Sequence, residues 1–152
     1  MPKVDLDAIE PTNSTGYPPP FNEPVQGRWQ RKVAEAASLT ELGARHVVLD
    51  PGAWSSQRHW HEGEDELLVM LSGSAVMIED ESETELVAGD IAAWPMGVRN
   101  GHHLVNRSAE PCSFICVSAG SEVGGAYSDI DMLFTDDGRF THRDGTEYPK
   151  RG

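Results

Sequence analysis

The chain has 152 residues, of which 38% are hydrophobic, a size and composition that suit one folded domain with a single core. Its 25 acidic residues outnumber its 12 Lys and Arg residues, so the formal net charge is −13 at pH 7. This balance disfavours nucleic acids and anionic membrane surfaces as partners, because both are bound through clustered cations.

Residues 1–24 form a segment rich in Pro, Asn, Thr and Asp, with the run Tyr17-Pro18-Pro19-Pro20. Because proline lacks a backbone donor and favours extended backbone, we predict an extended, unpaired arm here. The segment has no apolar stretch of the ~7–15 residues found in secretory signals, so we expect a cytoplasmic protein. The longest apolar run of the chain, residues 67–71, is also far shorter than the ~20 residues that span a membrane.

Residues 25–120 consist of short apolar runs separated by Gly, Pro, Asp and Ser, a pattern typical of an all-β sandwich or barrel. The predicted strands cover residues 46–49, 66–71, 75–78, 84–87, 91–94, 103–105 and 112–118. A helix over part of residues 32–42 is the alternative for that segment, which is rich in Ala, Glu and Leu. The acidic run 79–83 is predicted to form a solvated hairpin tip, because charges this dense resist burial.

Two cysteines, Cys112 and Cys116, fall in one predicted strand. Four residues of strand span ~13 Å, well beyond the ~7 Å reach of a disulfide. We therefore expect both to be reduced and to act as partly buried small hydrophobic residues.

The last segment, residues 121–152, carries turn residues at 124–125, 136–138 and 144–145. One strand, at 127–134, is predicted between them.

Histidine is sparse, but four of the six histidines form two groups, His59 with His61 and His102 with His103. Because side chains alternate along a strand, His59 and His61 project to one side, and Trp60 projects to the other. Two imidazoles in this arrangement can converge on one ion.

A carboxylate and a third imidazole are predicted on the same side as these rings. Glu66 begins an otherwise apolar inward face, where a carboxylate is costly unless a metal or a donor pairs it. His102 begins a later strand with Leu104 and Asn106 on its face, whereas alternation turns His103 towards the surface or an interface. Three imidazoles and a carboxylate, without thiolate, suit Fe, Mn, Co, Ni, Cu or Zn as the divalent ion.

These residues resemble the two conserved motifs of the cupin superfamily over residues 45–118. The first motif is matched by Gly52, His59-Trp60-His61, Glu66 and Gly73, and the second by Gly89, Pro95-Met96-Gly97, His102 and Asn106. The chain departs from the family spacing by one extra residue before His59 and two before His102. It is also similar to small single-domain cupins of the sugar-phosphate-isomerase-like group, through its proline-bearing arm and the Asp-Gly-Thr-Glu-Tyr-Pro pattern at 144–149.

The resemblance implies an all-β cupin fold, a double-stranded β-helix or jelly-roll-type barrel. The expected organisation is an extended N-terminal arm (1–24), a cupin barrel (25–120) and a C-terminal strand and tail (121–152). It also implies pairing into a homodimer, as is common among small cupins.

The same resemblance implies a divalent metal ion (Fe, Mn, Ni or Zn) held by His59, His61, Glu66 and His102. The lengthened loop leaves His103 as the alternative fourth ligand. Glu66 is the candidate catalytic residue, because a displaced carboxylate ligand can accept a proton.

Further residues are candidates for a substrate pocket beside the metal. Core packing is the alternative for the apolar members of this set, which are Leu68, Met70, Trp94 and Leu104. Arg99, in the loop before His102, is a candidate clamp for a carboxylate or phosphate, with a surface ion pair as the alternative.

Two functions fit these features. One is a metal-dependent isomerase, lyase or dioxygenase-type enzyme acting on a small molecule, and the other is a non-catalytic cupin that binds a sugar or small acid.

Overall fold

Strands make up most of the regular structure in the computed structural model, which describes residues 2–150. The first residue of the predicted arm and the last two of the predicted tail therefore lie outside the described residues. The strands are β1 (Arg28–Lys32), β2 (Gly43–Leu49), β3 (His59–His61), β4 (Glu64–Ser72), β5 (Ser74–Ile78), β6 (Glu83–Val87), β7 (Ile91–Trp94), β8 (His103–Val105), β9 (Cys112–Gly120), β10 (Gly125–Tyr127), β11 (Leu133–Phe134) and β12 (Phe140–Thr141). The short helices are α1 (Val33–Ala36) and two 3-10 turns, Leu6–Ala8 and Glu23–Val25. None of the helices between residues 2 and 150 has the length and apolar character needed to cross a bilayer.

Three antiparallel sheets organise these strands. The largest has the order β1-β2-β9-β4-β7, a second has the order β6-β5-β8, and a third has the order β12-β11-β10-β3. Every strand predicted between residues 46 and 118 is present, and those at 91–94 and 103–105 have the predicted bounds. The all-β prediction is confirmed.

The inner face of the largest sheet carries the main core. Strand alternation and register place Met70 beside Phe114, and Leu68 beside Cys116. These side chains pack with residues of the second sheet, such as Ala75, in one buried apolar cluster. Glu66 continues the same row at one end of the core, paired with Trp94 on β7, so it lies beside an apolar surface as the sequence predicts, with Glu64 beyond it on the same face.

A second apolar cluster attaches the two terminal segments to the barrel. It is built around Tyr17 and Val25 from the N-terminal side and Tyr127 and Met132 from the C-terminal side. The predicted arm is not wholly unpaired, because Thr12 forms an antiparallel bridge with Gln30 of β1. Burial of the Tyr17 ring gives the arm a fixed position on the barrel.

Two local predictions need correction. The helix alternative at 32–42 survives as one turn, α1, while 43–49 extends as strand β2. The single strand predicted at 127–134 is divided into β10 and β11. The polar residues between them bind elsewhere: Asp129 pairs with Arg58, and Asp131 accepts a hydrogen bond from the Arg143 amide, which favours a turn over a strand.

The expected acidic hairpin tip is present between β5 and β6, closed by the Glu79 amide, which donates to the Ser82 carbonyl at 2.9 Å. Both cysteines are free, as predicted.

Asn106 ties three segments of the barrel together. Its side chain is fully buried, and its Nδ2 donates to the Leu49 carbonyl at 2.9 Å and to the Glu110 carbonyl at 2.8 Å. Its Oδ1 accepts from the amide and the hydroxyl of Ser108. This amide therefore satisfies both donors and acceptors that would otherwise be buried without partners.

Replacing Asn106 with Ala should lower the free energy of unfolding by about 3 kcal/mol, because several buried groups lose their partner together. Urea unfolding followed by circular dichroism measures the change. The matched control is Asn13→Ala, which removes one solvent-exposed bond to the Gln26 carbonyl and should cost less than about 1 kcal/mol. Equal unfolding midpoints for the two variants would contradict the assigned role of Asn106.

Candidate functional site

Strand β3 places two histidines at the centre of the molecule. It pairs with β10, so that His59 lies opposite Tyr127 and His61 lies opposite Gly125. On its other side, His59 pairs with His102 through two backbone hydrogen bonds. Gly125 is required here, because a Cβ atom would lie 2.1 Å from the Trp60 carbonyl oxygen.

Four side chains converge at this point. The Nε2 atoms of His59 and His61 are 3.1 Å apart, and His61 Nε2 lies 3.4 Å from Glu66 Oε2. His102 Nε2 contacts the same carboxylate oxygen at 3.0 Å. The ligand atoms of His59, His61 and Glu66 all lie within 4.8 Å of one another, and His102 joins the group through Glu66.

In each of the three histidine rings, Nδ1 points away from the centre and contacts an oxygen atom. The Nδ1 contacts are the Gln57 carbonyl at 2.9 Å for His59, the Asn100 carbonyl at 3.2 Å for His102 and Glu64 Oε2 at 3.2 Å for His61. The His61 Nδ1 contact is a close approach without hydrogen-bond alignment. The carbonyl partners of His59 and His102 only accept, so Nδ1 of each of these two rings carries the hydrogen and Nε2 turns a lone pair towards the centre.

Converging lone pairs repel one another unless a cation or a proton lies among them. Three imidazole nitrogens and a carboxylate oxygen, with no thiolate among them, are the donor set that borderline divalent ions prefer. The residues present therefore fit the metal ion that the sequence predicts, with His59, His61 and Glu66 as the compact part of the set.

The electrostatics of the group agree with this demand for positive charge. Burial lowers the pKa of His59 to about 4, against the opposing charge of Glu66. Burial also lowers the pKa of His61, but its close contacts with the carboxylates of Glu64 and Glu66 outweigh burial and raise the pKa to about 9. Burial raises the pKa of Glu66, yet contacts with His102 and His61 hold it well below its usual range. The carboxylate is thus anionic at neutral pH.

Two neighbours position this group. Cys116 donates its thiol hydrogen to Glu66 Oε1 at 3.2 Å, which leaves Oε2 for the histidines. The Trp94 ring stacks on His102 with 3.8 Å between ring centroids and 3° between planes. Trp94 Nε1 in turn donates to Glu79 Oε1. The sequence predicts only a buried hydrophobic role for Cys116, because its contact with Glu66 depends on how β4 and β9 align.

His103 is buried, with 5% of its surface exposed. Its Nδ1 lies 2.8 Å from the Ser56 carbonyl oxygen, and its ring meets Trp54 edge-on. The expected surface position is therefore wrong, since β8 turns this side chain against the segment before β3. It is His102 that contacts Glu66.

A cavity of about 400 Å³ opens beside the four converging side chains. Of the predicted pocket residues, Leu68, Trp94 and Leu104 line it. Met70 lies below, in the core next to Phe114. Arg99 is also outside the cavity, because its guanidinium lies 5.0 Å above the Trp60 ring, on the other side of β3.

Other cavity walls come from residues that sequence analysis did not single out. Tyr17 of the arm and Tyr127, Phe134 and Phe140 of the C-terminal segment form an aromatic wall, with Phe134 packed 5.2 Å from the His61 ring. Arg28 of β1 and Arg45 of β2 supply two cations. No local pattern marks these residues, since they meet only when the terminal segments fold onto the barrel.

Comparisons with known proteins agree with this architecture. Residues 45–118 match the cupin domain family. No curated protein matches the chain.

Solved structures match over much more of the chain. A Silicibacter pomeroyi DSS-3 protein, described as a sugar phosphate isomerase from a cupin superfamily, is 37% identical; 99% of this chain and 100% of that chain align, with a TM-score of 0.91. A putative sugar phosphate isomerase from Acidithiobacillus ferrooxidans is 16% identical over 82% of this chain and 81% of that chain, with a TM-score of 0.70. The polyketide cyclase RemF from Streptomyces resistomycificus is 18% identical over 78% and 79%, with a TM-score of 0.63. The last two show a shared fold.

Neither cysteine of the folded protein should react with a disulfide reagent such as DTNB between about pH 7 and 9, because only the thiolate is reactive. Burial raises the pKa of both thiols, and the charge of Glu66 raises that of Cys116 further. Both thiols should react after denaturation. The control is Ala37→Cys, which adds a thiol at an exposed position away from the acidic hairpin tip and should react rapidly. Rapid labelling of the native wild-type chain would contradict the assigned environment.

Proposed function

The chain belongs to the cupin superfamily, and we propose that it is a metal-dependent enzyme that isomerises a small hydroxy-carbonyl compound of the sugar-phosphate type. The observation that carries the proposal is the convergence of His59, His61, His102 and Glu66 at the wall of a small cavity. The full-length similarity to a protein described as a sugar phosphate isomerase favours this reaction over the others open to the family.

His59, His61, His102 and Glu66 are the residues that would hold the ion. A divalent ion held there supplies Lewis acidity, which polarises a carbonyl or hydroxyl group of the substrate. The candidate ions are Fe, Mn, Ni and Zn.

Isomerisation of a hydroxy-carbonyl compound moves a proton between neighbouring carbons, so the site needs a base. Glu66 is the candidate for this role, because its carboxylate is anionic at neutral pH and lines the cavity. The contacts that hold its pKa below the usual range make it a weaker base until one of them is displaced. The thiol of Cys116 fixes Oε1 of Glu66, and Oε2 faces His61 and His102. Glu64, against His61, is a second carboxylate in the cavity.

Two tyrosines supply neutral donors. Burial raises the pKa of both Tyr17 and Tyr127, and the Tyr127 hydroxyl donates to that of Tyr17. Both rings therefore stay neutral, and the hydroxyl hydrogen of Tyr17 is the one that can be donated to a substrate oxygen. The Tyr127 ring lies 5.7 Å from the His59 ring, close to the proposed metal ligands. The aromatic wall limits access of water to that side of the cavity.

The expected homodimer and cytoplasmic location stay predictions. One surface suits a second copy of the chain: β7 is an edge strand of the largest sheet, and Ile91 on it is 64% exposed. Leu67 and Leu71 on the neighbouring β4 are also exposed.

Changing both His59 and His61 to Ala should reduce bound divalent metal from stoichiometric to background, since two of the imidazole ligands are lost together. Protein purified without oxygen and loaded with Fe, Mn, Ni or Zn is analysed by mass spectrometry for metal per chain. His142→Ala is the control, because that ring stacks on Tyr148 at the surface. Full metal content in the double variant, with unchanged circular dichroism, would overturn the ligand assignment.

The metal-loaded wild-type protein should convert a phosphorylated aldose into its ketose isomer, with exchange of a carbon-bound hydrogen for deuterium that proton NMR detects in D2O. Glu66→Gln should abolish this exchange, because the proposed base and one proposed metal ligand are lost together. Dioxygen uptake without isomerisation would replace the proposal with an oxygenase. A sugar or small acid that binds but never reacts would replace it with a binding protein.

A further inference from the structure

We infer that the cavity contains a subsite for the anionic group of the substrate, formed by Arg28 and Arg45 with Gln30 between them. This inference rests on the proposed function, because that proposal assigns the metal ligands at the other end of the cavity. The chemistry recognised is that of a phosphate monoester or a carboxylate, which planar guanidinium groups bind through paired hydrogen bonds.

Sheet geometry separates this subsite from the histidines. Glu66 is on β4, Arg45 is two strands away on β2, and Arg28 is three strands away on β1. Neighbouring strands are about 4.8 Å apart, so Arg45 and Arg28 are displaced from Glu66 by about 10 and 14 Å across the sheet. They are also displaced along the strands, because Arg45 aligns with Leu68 and Arg28 pairs with Leu49. Their side chains reach inward to line the same cavity as Glu66.

Arg28 is held rigidly but lacks an anionic partner. Its Nη1 donates to the Ser55 carbonyl at 2.9 Å, and its Nη2 donates to the Ser14 carbonyl at 3.3 Å. Its Nε is buried without a hydrogen-bond partner. Because a guanidinium cannot discharge, a cation fixed in this way lacks a countercharge that a ligand can supply.

Arg45 lies on the inward face of β2, in line with the buried Val47 and Leu49, and is exposed at the cavity mouth. It forms no ion pair within residues 2–150, and neither does Arg28. Three other arginines have ion pairs: Arg58 pairs with Asp129 and Asp80, Arg107 with Glu83, and Arg139 with Asp137 and Glu147. Arg31, Arg99 and Arg143 have no ion pair within residues 2–150 either, but they do not line the cavity.

The two cavity arginines also act on each other. Burial, and then the charge of Arg45, lower the pKa of Arg28, which means that two like charges face the same space. Gln30 lies opposite Val47, between them along the strands, and lines the cavity with its amide. A bound anion relieves the repulsion and receives donors from all three residues.

Inorganic phosphate and acetate serve as probes, with calorimetric titration as the measurement. The metal-free His59→Ala, His61→Ala double variant is used as the background, so that a metal ion cannot bind the anion instead. On this background Arg28→Lys and Arg45→Gln should each weaken binding of the preferred anion by about 10-fold or more, the loss expected for a charge-assisted hydrogen bond. Tighter binding of phosphate identifies a phosphate monoester as the substrate group, and tighter binding of acetate identifies a carboxylate.

Arg99→Gln is the matched control, because it removes an equal charge outside the cavity, and it should change affinity by less than about twofold. The Arg45 side chain forms no hydrogen bond or ion pair within residues 2–150, so Arg45→Gln should fold normally. Thermal melting tests the folding of each variant. Equal affinity of the double variant with and without Arg28→Lys or Arg45→Gln would overturn the subsite, and so would absence of binding by both anions at high millimolar concentration. Metal content and isomerase activity are measured separately, so failure of the proposed function leaves this result interpretable.

Discussion

The arrangement of the molecule depends on the burial of one carboxylate. Glu66 keeps only 14% of its side chain exposed, and a buried anion is tolerated only among donors or cations. Two imidazoles face one of its oxygens and a thiol faces the other. Residues from β3, β4, β9 and the start of β8 must therefore meet at one point, and the barrel is the scaffold that brings them there.

Much of this centre could be predicted from spacing alone. Alternation along a strand places His59 and His61 together, and Glu66 heads an apolar face that can be recognised without a structure. Cys116, Arg28 and Arg45 could not be predicted, because their positions follow from the alignment of strands that are distant in sequence, such as Leu68 with Cys116. The division of residues 127–134 was missed for a similar reason: its turn is stabilised by partners such as Arg58.

The terminal segments complete the cavity. Tyr17 stacks on Phe140 and meets Tyr127 edge-on, with 5.5 Å between centroids in both pairs. A domain of this size buries a limited area, so a second apolar cluster adds useful stability while shaping a wall of the cavity. Residues of the cupin motif thus form one end of the cavity, and aromatic residues outside the motif form another of its walls.

Ser14 connects the N-terminal arm to the cavity through Arg28. Its carbonyl oxygen accepts a hydrogen bond from the guanidinium of Arg28, which also faces the cavity. Docking of the arm and occupancy of the cavity therefore share one group, and by linkage each must influence the other. If the proposed subsite binds an anion at this guanidinium, occupancy of the subsite should strengthen docking of the arm, and cleavage of the chain within the arm should lower affinity for the anion. The N-terminal segment would in this sense take part in recognition, although it contributes no residue to the proposed metal site.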